Sequence, residues 1–248
     1  MNEIVEKADR FRAQLAEIRS MAVLPDGRQW YAYDILSNVW ILNELLDGGF
    51  ASLLSDLRDK RVADIGAADG DFSFFLETLG IRVDIVDNPP TNANGLVAAR
   101  VLKEQLESDV GIIEVDLDQQ FALSHRYDLI FFLGILYHLK NPFYALEHLA
   151  RRSNYLILST RIAQYTPPAN HPDARYIADI PVAYLLGSYE ANNDPTNYWI
   201  FTEAGLRRVI DRSGWNIIRW KTLGAQRSDP ATTENDERAY CLLRSRFS

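Results

Sequence analysis

Apolar residues recur at Ile4, Ala8, Phe11, Leu15 and Ile18 with charged residues between them, so residues 3–20 are predicted to form an amphipathic helix. The stretch LPDGRQWYAY follows, a Pro-Asp-Gly turn leading into aromatic residues. Asp34 is the expected N-cap of a second helix, DILSNVWILNELLDGG, closed by Gly48 and Gly49, and FASLLSDL supplies a third. No strand pattern occurs before residue 60. Residues 1–59 therefore read as an N-terminal helical cap.

Beyond residue 60 the rhythm changes. RVADIG, RVDIVD, GIIEVDL, YDLIFFLGIL and NYLILST are short, nearly continuous apolar runs, and helical stretches alternate with them: FSFFLETLG, the segment from Asn94 to Glu107, and PFYALEHLARR. Strands apolar on both faces belong to a parallel sheet covered by helices on each side. Right-handed crossovers then give a doubly wound, Rossmann-like α/β domain over residues 60–248. TEAGLRRVIDRSGW is a further helix, and NIIRWKTL and RAYCLLRS, joined by turn residues alone, are expected as an antiparallel pair at the sheet edge. Residues 161–199 interrupt the alternation with five prolines and the polar run EANNDPTN, which marks a lid insertion. Its tyrosines, including Tyr165, Tyr176, Tyr184 and Tyr189, argue for packing over disorder.

Composition narrows the class. With 47% hydrophobic and 24% charged residues the chain has the balance of a water-soluble globular protein, and no apolar run approaches the roughly 20 residues that cross a bilayer. The charged N-terminal stretch lacks a signal-peptide core, and the single cysteine, Cys241, suits a reducing compartment, so a cytoplasmic location is expected. A net charge of −8 argues against nucleic acid and for a neutral or cationic small molecule. No Cys/His set has metal-ligand spacing.

The chemistry centres on VADIGAADGDFSFFLE, a strand, a turn and a helix start. Gly66, Ala68 and Gly70 are spaced two and two, and the last glycine of the dinucleotide fingerprint is replaced by Asp71. Asp69 and Asp71 flank the positive end of the helix and are expected to repel a diphosphate. No Gly-Lys-Ser/Thr follows, which excludes a P-loop. A phosphate-free, cation-bearing nucleoside removes the conflict, and S-adenosylmethionine is one. Asp64 is placed for its ammonium, Gly66 and Gly70 for close backbone approach, Asp87 for the ribose hydroxyls, and Asp116 and Leu117 for the adenine. Ala67, Ala68, Asn88 and Leu133 complete the expected cofactor-binding set. An acid such as Asp87 also serves NAD, so a dehydrogenase is a rival reading.

DIGAADG resembles the first motif of class I S-adenosylmethionine-dependent methyltransferases, with Ala68 in place of the usual middle glycine. YDLIFFLGILYHLKNPFYALEHLAR resembles the branch containing the tRNA wobble-uridine (carboxy)methyltransferases. The resemblance implies a seven-strand sheet with the last strand antiparallel, Gly134 facing the methionine portion, and Tyr137 touching donor or substrate. It also makes tRNA modification an alternative activity. The N-terminal lysine that carboxymethyl-transferring members use has no clear equivalent, so ordinary S-adenosylmethionine, leaving as S-adenosylhomocysteine, is the expected donor.

Methyl transfer needs alignment, and a base only where the acceptor loses a proton. His138, after the fourth strand, is the candidate base, with Tyr137 beside it. Trp30, Tyr31 and Tyr33 precede the second helix and can close over a ligand; Asn193 and Tyr198 in the insertion and Arg238 in ENDERAY are candidate substrate contacts. His148, ten residues beyond His138 along a helix, reads as structural, and His125 and His171 fall in loops without companions. The expectation is a methyltransferase acting on an oxygen or nitrogen of a small molecule, as a monomer or homodimer. A non-catalytic nucleoside-binding module is the remaining alternative.

Overall fold

Near-continuous apolar strands pair only where both faces are covered, and the computed structural model, which describes residues 3–248, shows how this chain covers them. The chain divides into two compact units: residues up to Asp116 with Arg126–Phe131, and Leu117–His125 with Phe132–Ser248.

In the first unit, α1 (Glu3–Met21) buries Ile4, Ala8, Phe11 and Leu15, the stripe its spacing predicts. Phe11 meets Phe75 of α4 (Asp71–Thr78) at 6.0 Å between ring centroids. Asp34 does cap, accepting from Ser37 N at 3.3 Å, but it opens a single tight turn (Ile35–Ser37) ahead of α2 (Asn38–Leu45). The third helix, α3, is Phe50–Asp56. Strands β1 (Arg61–Ile65), β2 (Arg82–Asp87), β3 (Gly111–Glu114) and β4 (Tyr127–Leu133) lie in the order β3-β2-β1-β4, and the pairs β1–β2, β1–β4 and β2–β3 are parallel. Helix α4 joins β1 to β2, and α5 (Val97–Gln105) joins β2 to β3. The edges of Phe50 and Phe72 pack on Phe131 at 6.4 and 4.8 Å. A carboxylate inside this sheet needs partners, and Asp84 of β2 has them: the Tyr127 hydroxyl donates at 3.0 Å and Arg61 at 3.4 Å.

In the second unit β5 (Ser153–Ala163) follows α6 (Pro142–Ala150) and carries β9 (Glu237–Ser245) antiparallel along it, from Tyr155↔Arg244 to Ile162↔Glu237. β8 (Trp215–Gly224) pairs antiparallel with β9 through an irregularity between Ile217 and Arg219, the late antiparallel pair expected from NIIRWKTL and RAYCLLRS. Trp215 is fully buried, and its indole N–H donates to Leu146 O at 2.9 Å. The final strand is thus antiparallel in a Rossmann-like α/β fold.

The insertion holds a pairing that its proline-rich sequence conceals. β6 (Ala183–Leu185) pairs antiparallel with β7 (Trp199–Thr202), and β7 continues parallel to the end of β5, Ile162 facing Phe201. The strand count therefore rises from the expected seven to nine. The Thr202 side chain caps α7 (Glu203–Arg212) by accepting from Gly205 N at 3.0 Å. A β-carbon at Gly205 would collide with the Val182 carbonyl of the insertion. Gly205→Ala is expected to cost about 1–3 kcal/mol by overpacking, read as a lower midpoint in thermal unfolding followed by circular dichroism.

Candidate active site

Where β1 ends, the chain turns through Gly66 (φ 71°), Ala68 (φ 56°) and Gly70 (φ 86°) into α4. Ala68 holds a left-handed conformation that costs a non-glycine residue about 1–2 kcal/mol. A β-carbon on Gly70 would stand 2.7 Å from Ile85 and 2.8 Å from Phe74, so the missing side chain lets α4 seat on the sheet. A ligand beside Gly70 would meet its backbone, the kind of approach expected of it.

Asp69 and Asp71 are also placed differently from expectation. Both are buried, and Arg19 of α1 pairs with them at 3.1 and 2.6 Å, its guanidinium 5.3 Å from the Trp30 ring centroid. Asp69 further accepts from Tyr31 N at 2.9 Å and from the Asn94 side chain at 2.8 Å. These carboxylates hold the N-terminal segment to the turn, and two acids sharing one guanidinium leave the turn net negative.

Asp64, buried near the end of β1, accepts from Ser73 Oγ at 2.7 Å; burial, with Asp87 and Asp71 nearby, pushes its carboxyl up to about 7. Asp87 closes β2 half-buried. Burial raises its pKa against three donors: Asn92 at 3.0 Å, Asn88 N at 2.7 Å and the Ala68 backbone. Asn92 also donates to Ala68 O at 3.2 Å, tying the turn to the acid. Val115 N donates to Asp87 O at 2.9 Å, bringing the chain just before half-buried Asp116 to the end of β2. The Tyr31 hydroxyl accepts from Ala93 N at 2.8 Å and lies near enough to Asp87 to feel its charge, whereas Tyr33 is exposed and meets only the Tyr31 ring, at 6.2 Å. A sulfonium- and ammonium-bearing nucleoside fits these acids by charge.

The second unit gathers another set. Leu133 is half-buried at the end of β4, and Leu117 is buried. Gly134 (φ 77°) donates to Ser159 O at 2.9 Å, and a β-carbon there would lie 3.5 Å from the Tyr137 hydroxyl and 3.6 Å from Arg238. Arg238 donates to the Tyr137 hydroxyl at 3.3 Å and to Asp236 at 3.3 Å. Burial opposes its charge, but Tyr137 and Asp236 outweigh burial and raise its pKa. Arg161, opposite Arg238 on β5, also reaches Asp236, at 3.0 Å, so two guanidiniums share that carboxylate.

His138 Nδ1 lies 2.9 Å from Thr196 Oγ1 and 3.1 Å from Thr196 O, and its ring packs on Tyr137 at 4.4 Å. Burial lowers its pKa, and Arg238 adds to the fall against Thr196 and Asp194. Tyr198 N donates to Tyr137 O at 2.8 Å, while the Tyr198 ring lies 5.7 Å from the Lys140 ammonium. Asn193 is exposed at φ 53°, outside this cluster of contacts. His148 packs against Phe121 and Tyr144, in keeping with a structural residue.

Arg19, Ser73, Asn92, Asn94, Arg161, Thr196 and Asp236 were not singled out by the sequence. Signals lay in the TNANG run after Pro89-Pro90, with its alternating asparagines, in EANNDPTN, which holds Thr196, and in ENDERAY, which holds Asp236.

A glycine turn after the first strand of a Rossmann-like fold, with acids closing that strand and the next, defines the nucleoside-binding α/β class. Residues 42–219 match the family model described as a methyltransferase domain, and the chain belongs to that family. What the match establishes is a methyltransferase domain over those residues. Among relatives, a tRNA U34 carboxymethyltransferase of Aliarcobacter butzleri (strain RM4018) is 32% identical over 168 residues, 66% of this chain and 49% of that protein. The chain thus spans about half the length of this curated relative. The structure resembles the N-terminal domain of EvdMO1 with S-adenosylhomocysteine bound, at TM-score 0.57 and 16% identity over 95% of this chain and 97% of that one. It also resembles the magnesium protoporphyrin IX methyltransferase of Synechocystis PCC 6803 with S-adenosylhomocysteine bound, at TM-score 0.52 and 19% identity over 96% and 97%. At such identities the two speak to the fold. Relatives named for tRNA modification stand against the expectation, drawn from net charge, that nucleic acid is an unlikely partner.

Two outcomes follow from the charged groups. Because the folded pKa of Asp64 is raised from 3.8 to about 7, the folded state keeps a proton that the unfolded chain gives up between those values. The stability from this group is present below about pH 4 and lost as pH rises to about 7. Asp64→Asn should therefore gain thermal stability over the ligand-free parent as pH rises from 4 to 8, while S-adenosylmethionine affinity in the parent weakens below pH 7; scanning and titration calorimetry check both. Arg19→Met leaves two buried acids unpaired and is expected to cost about 3–5 kcal/mol in urea unfolding, with Asp69→Asn partly restoring stability.

Proposed function

We propose that this enzyme methylates an oxygen or nitrogen of a small-molecule acceptor, with His138 as the base. The observation that carries the reading is His138: burial favours its neutral form at physiological pH, its Nδ1 is engaged by Thr196, and it lies beside a Tyr137–Arg238 pair able to hold a polar acceptor. On this reading the first unit contributes Asp64, Gly66, Ala67, Ala68 and Gly70 for the methionine side, through side chains or backbone, Asp87 and Asn88 for the ribose, Asp116 for the adenine and exposed Tyr33 for the acceptor. The second unit contributes Leu117, Leu133 and Gly134 for the donor and Asn193 and Tyr198 for the acceptor.

The donor supplies an electrophilic methyl on a good leaving group, so the chain's work is positioning and, for a hydroxyl or protonated amine, removing one proton. Arg238 remains a cation next to the Tyr137 phenol, which favours an acceptor with a carboxylate or an electron-rich oxygen near its reacting atom. tRNA modification is the second reading, favoured by the activity for which the Aliarcobacter butzleri relative is named.

S-adenosylhomocysteine should raise the melting temperature by the equivalent of about 2.7 kcal/mol at a hundredfold excess over its Kd, and NADH should leave it unchanged. In a mass-spectrometric acceptor screen, His138→Asn should lower kcat about 10²–10⁴-fold with S-adenosylhomocysteine affinity intact. Salt-dependent binding of bulk tRNA accompanied by its methylation would replace the small-molecule acceptor with the second reading.

A further inference from the structure

The His138 ring sits at the end of a hydrogen-bond chain whose direction its members fix. Asp194 Oδ1 receives both the Thr196 N–H, at 2.8 Å, and the Thr196 hydroxyl, at 2.6 Å. With its proton committed to Asp194, Thr196 Oγ1 can only accept from the imidazole, and the Thr196 carbonyl, 3.1 Å from the same nitrogen, has no proton to give. Both contacts require His138 Nδ1 to be the donor. In the neutral ring Nε2 is then bare, with its lone pair available. The turn that presents these groups is built locally: Asp194 N donates to Ala191 O at 3.1 Å, Asn197 N to Asp194 O at 3.2 Å, and the Asn197 side chain to Ala191 O at 3.1 Å. Tyr198 N holds the next residue to Tyr137 O.

We infer that Asp194 and Thr196 of the insertion are positioning residues that fix His138 in its Nδ1–H form, leaving Nε2 to receive the acceptor's proton. This rests on His138 being the base. In the step, the acceptor's lone pair would take the methyl from the sulfonium donor, whose S–C bond breaks with its electron pair left on the departing thioether sulfur; the acceptor's O–H or N–H proton passes to Nε2, and the imidazolium is held by Asp194 through Thr196. The ring leaves as a cation, so a carboxylate at the far end of the chain stabilises the proton once taken. The charged and titratable groups facing the ring are Asp194 through Thr196, Arg238 and the Tyr137 phenol.

Two hydrogen bonds at about 1 kcal/mol each favour one tautomer by more than about tenfold. Imidazole ¹H–¹⁵N correlation spectra of the labelled protein with S-adenosylhomocysteine, recorded near pH 7.5, should show His138 protonated at Nδ1 and bare at Nε2. Thr196→Val, which keeps the side-chain shape, should reduce that preference at least severalfold. Asp194→Asn should move the His138 titration midpoint to lower pH, a change that mere loss of packing would not produce in a variant of unaltered melting temperature. An Nε2–H ring in the unmodified protein overturns the inference, as does a tautomer ratio and midpoint unchanged in both variants. The measurement needs no acceptor, so it separates from the base reading. An Nδ1–H ring with a fully active His138→Asn variant keeps the positioning of the ring by Asp194 and Thr196 but removes the proton-accepting step with the base role; an Nε2–H ring sinks the positioning itself even if that variant is inactive.

Discussion

Two buried carboxylates and one guanidinium hold the turn after β1 in shape. Asp69 and Asp71 are both within 3.1 Å of Arg19, which arrives from a helix fifty residues earlier in the chain. Each acid alone would be costly where it sits; with the cation between them the N-terminal helix becomes part of the ligand turn. Trp30 flanks the guanidinium and Tyr31 N completes Asp69, so the aromatic segment is fastened by the same charge cluster. The first unit is therefore one electrostatic assembly of helix, turn and strand ends, and its excess of acid over base suits a cationic nucleoside.

The second unit has the opposite character. Arg161 and Arg238, direct neighbours across β5 and β9, divide Asp236 between them, and the surplus positive charge faces the Tyr137 hydroxyl. His138 stands next to it but is kept neutral chiefly by burial. An acidic unit able to favour a cation and a basic cluster able to favour an anion or a developing oxyanion are properties of separate stretches of chain. They could not be read from a single net charge of −8.

That difference shows what was legible in the sequence. Strand and helix periods revealed the parallel sheet, the late antiparallel pair and the helical N-terminus, because burial on known faces leaves a regular trace. Asp64 and Asp87 were recognisable because parallel strands bring their C-terminal ends to one rim. Arg19 left no trace: an arginine on the margin of an amphipathic helix looks like a solvated one until its distant partners are in place. Asp69 and Asp71 were visible, but their spacing could not tell whether they faced a ligand or another part of the chain. Strands β6 and β7 escaped because three- and four-residue strands separated by Asn, Asp and Pro carry too few alternations to stand out from turns. Thr196 escaped for the same reason, as a threonine among turn formers.

The insertion leaves β5 at Ala163 and returns at Trp199, and Ile162 lies beside Phe201 in a parallel ladder. Its two ends are thus clamped together by backbone pairing that is indifferent to whatever lies between them. The entropic penalty of closing a longer or shorter excursion grows only slowly with its length. Changes of length within residues 164–198 are therefore expected to leave the pairing of β5 with β7 in place.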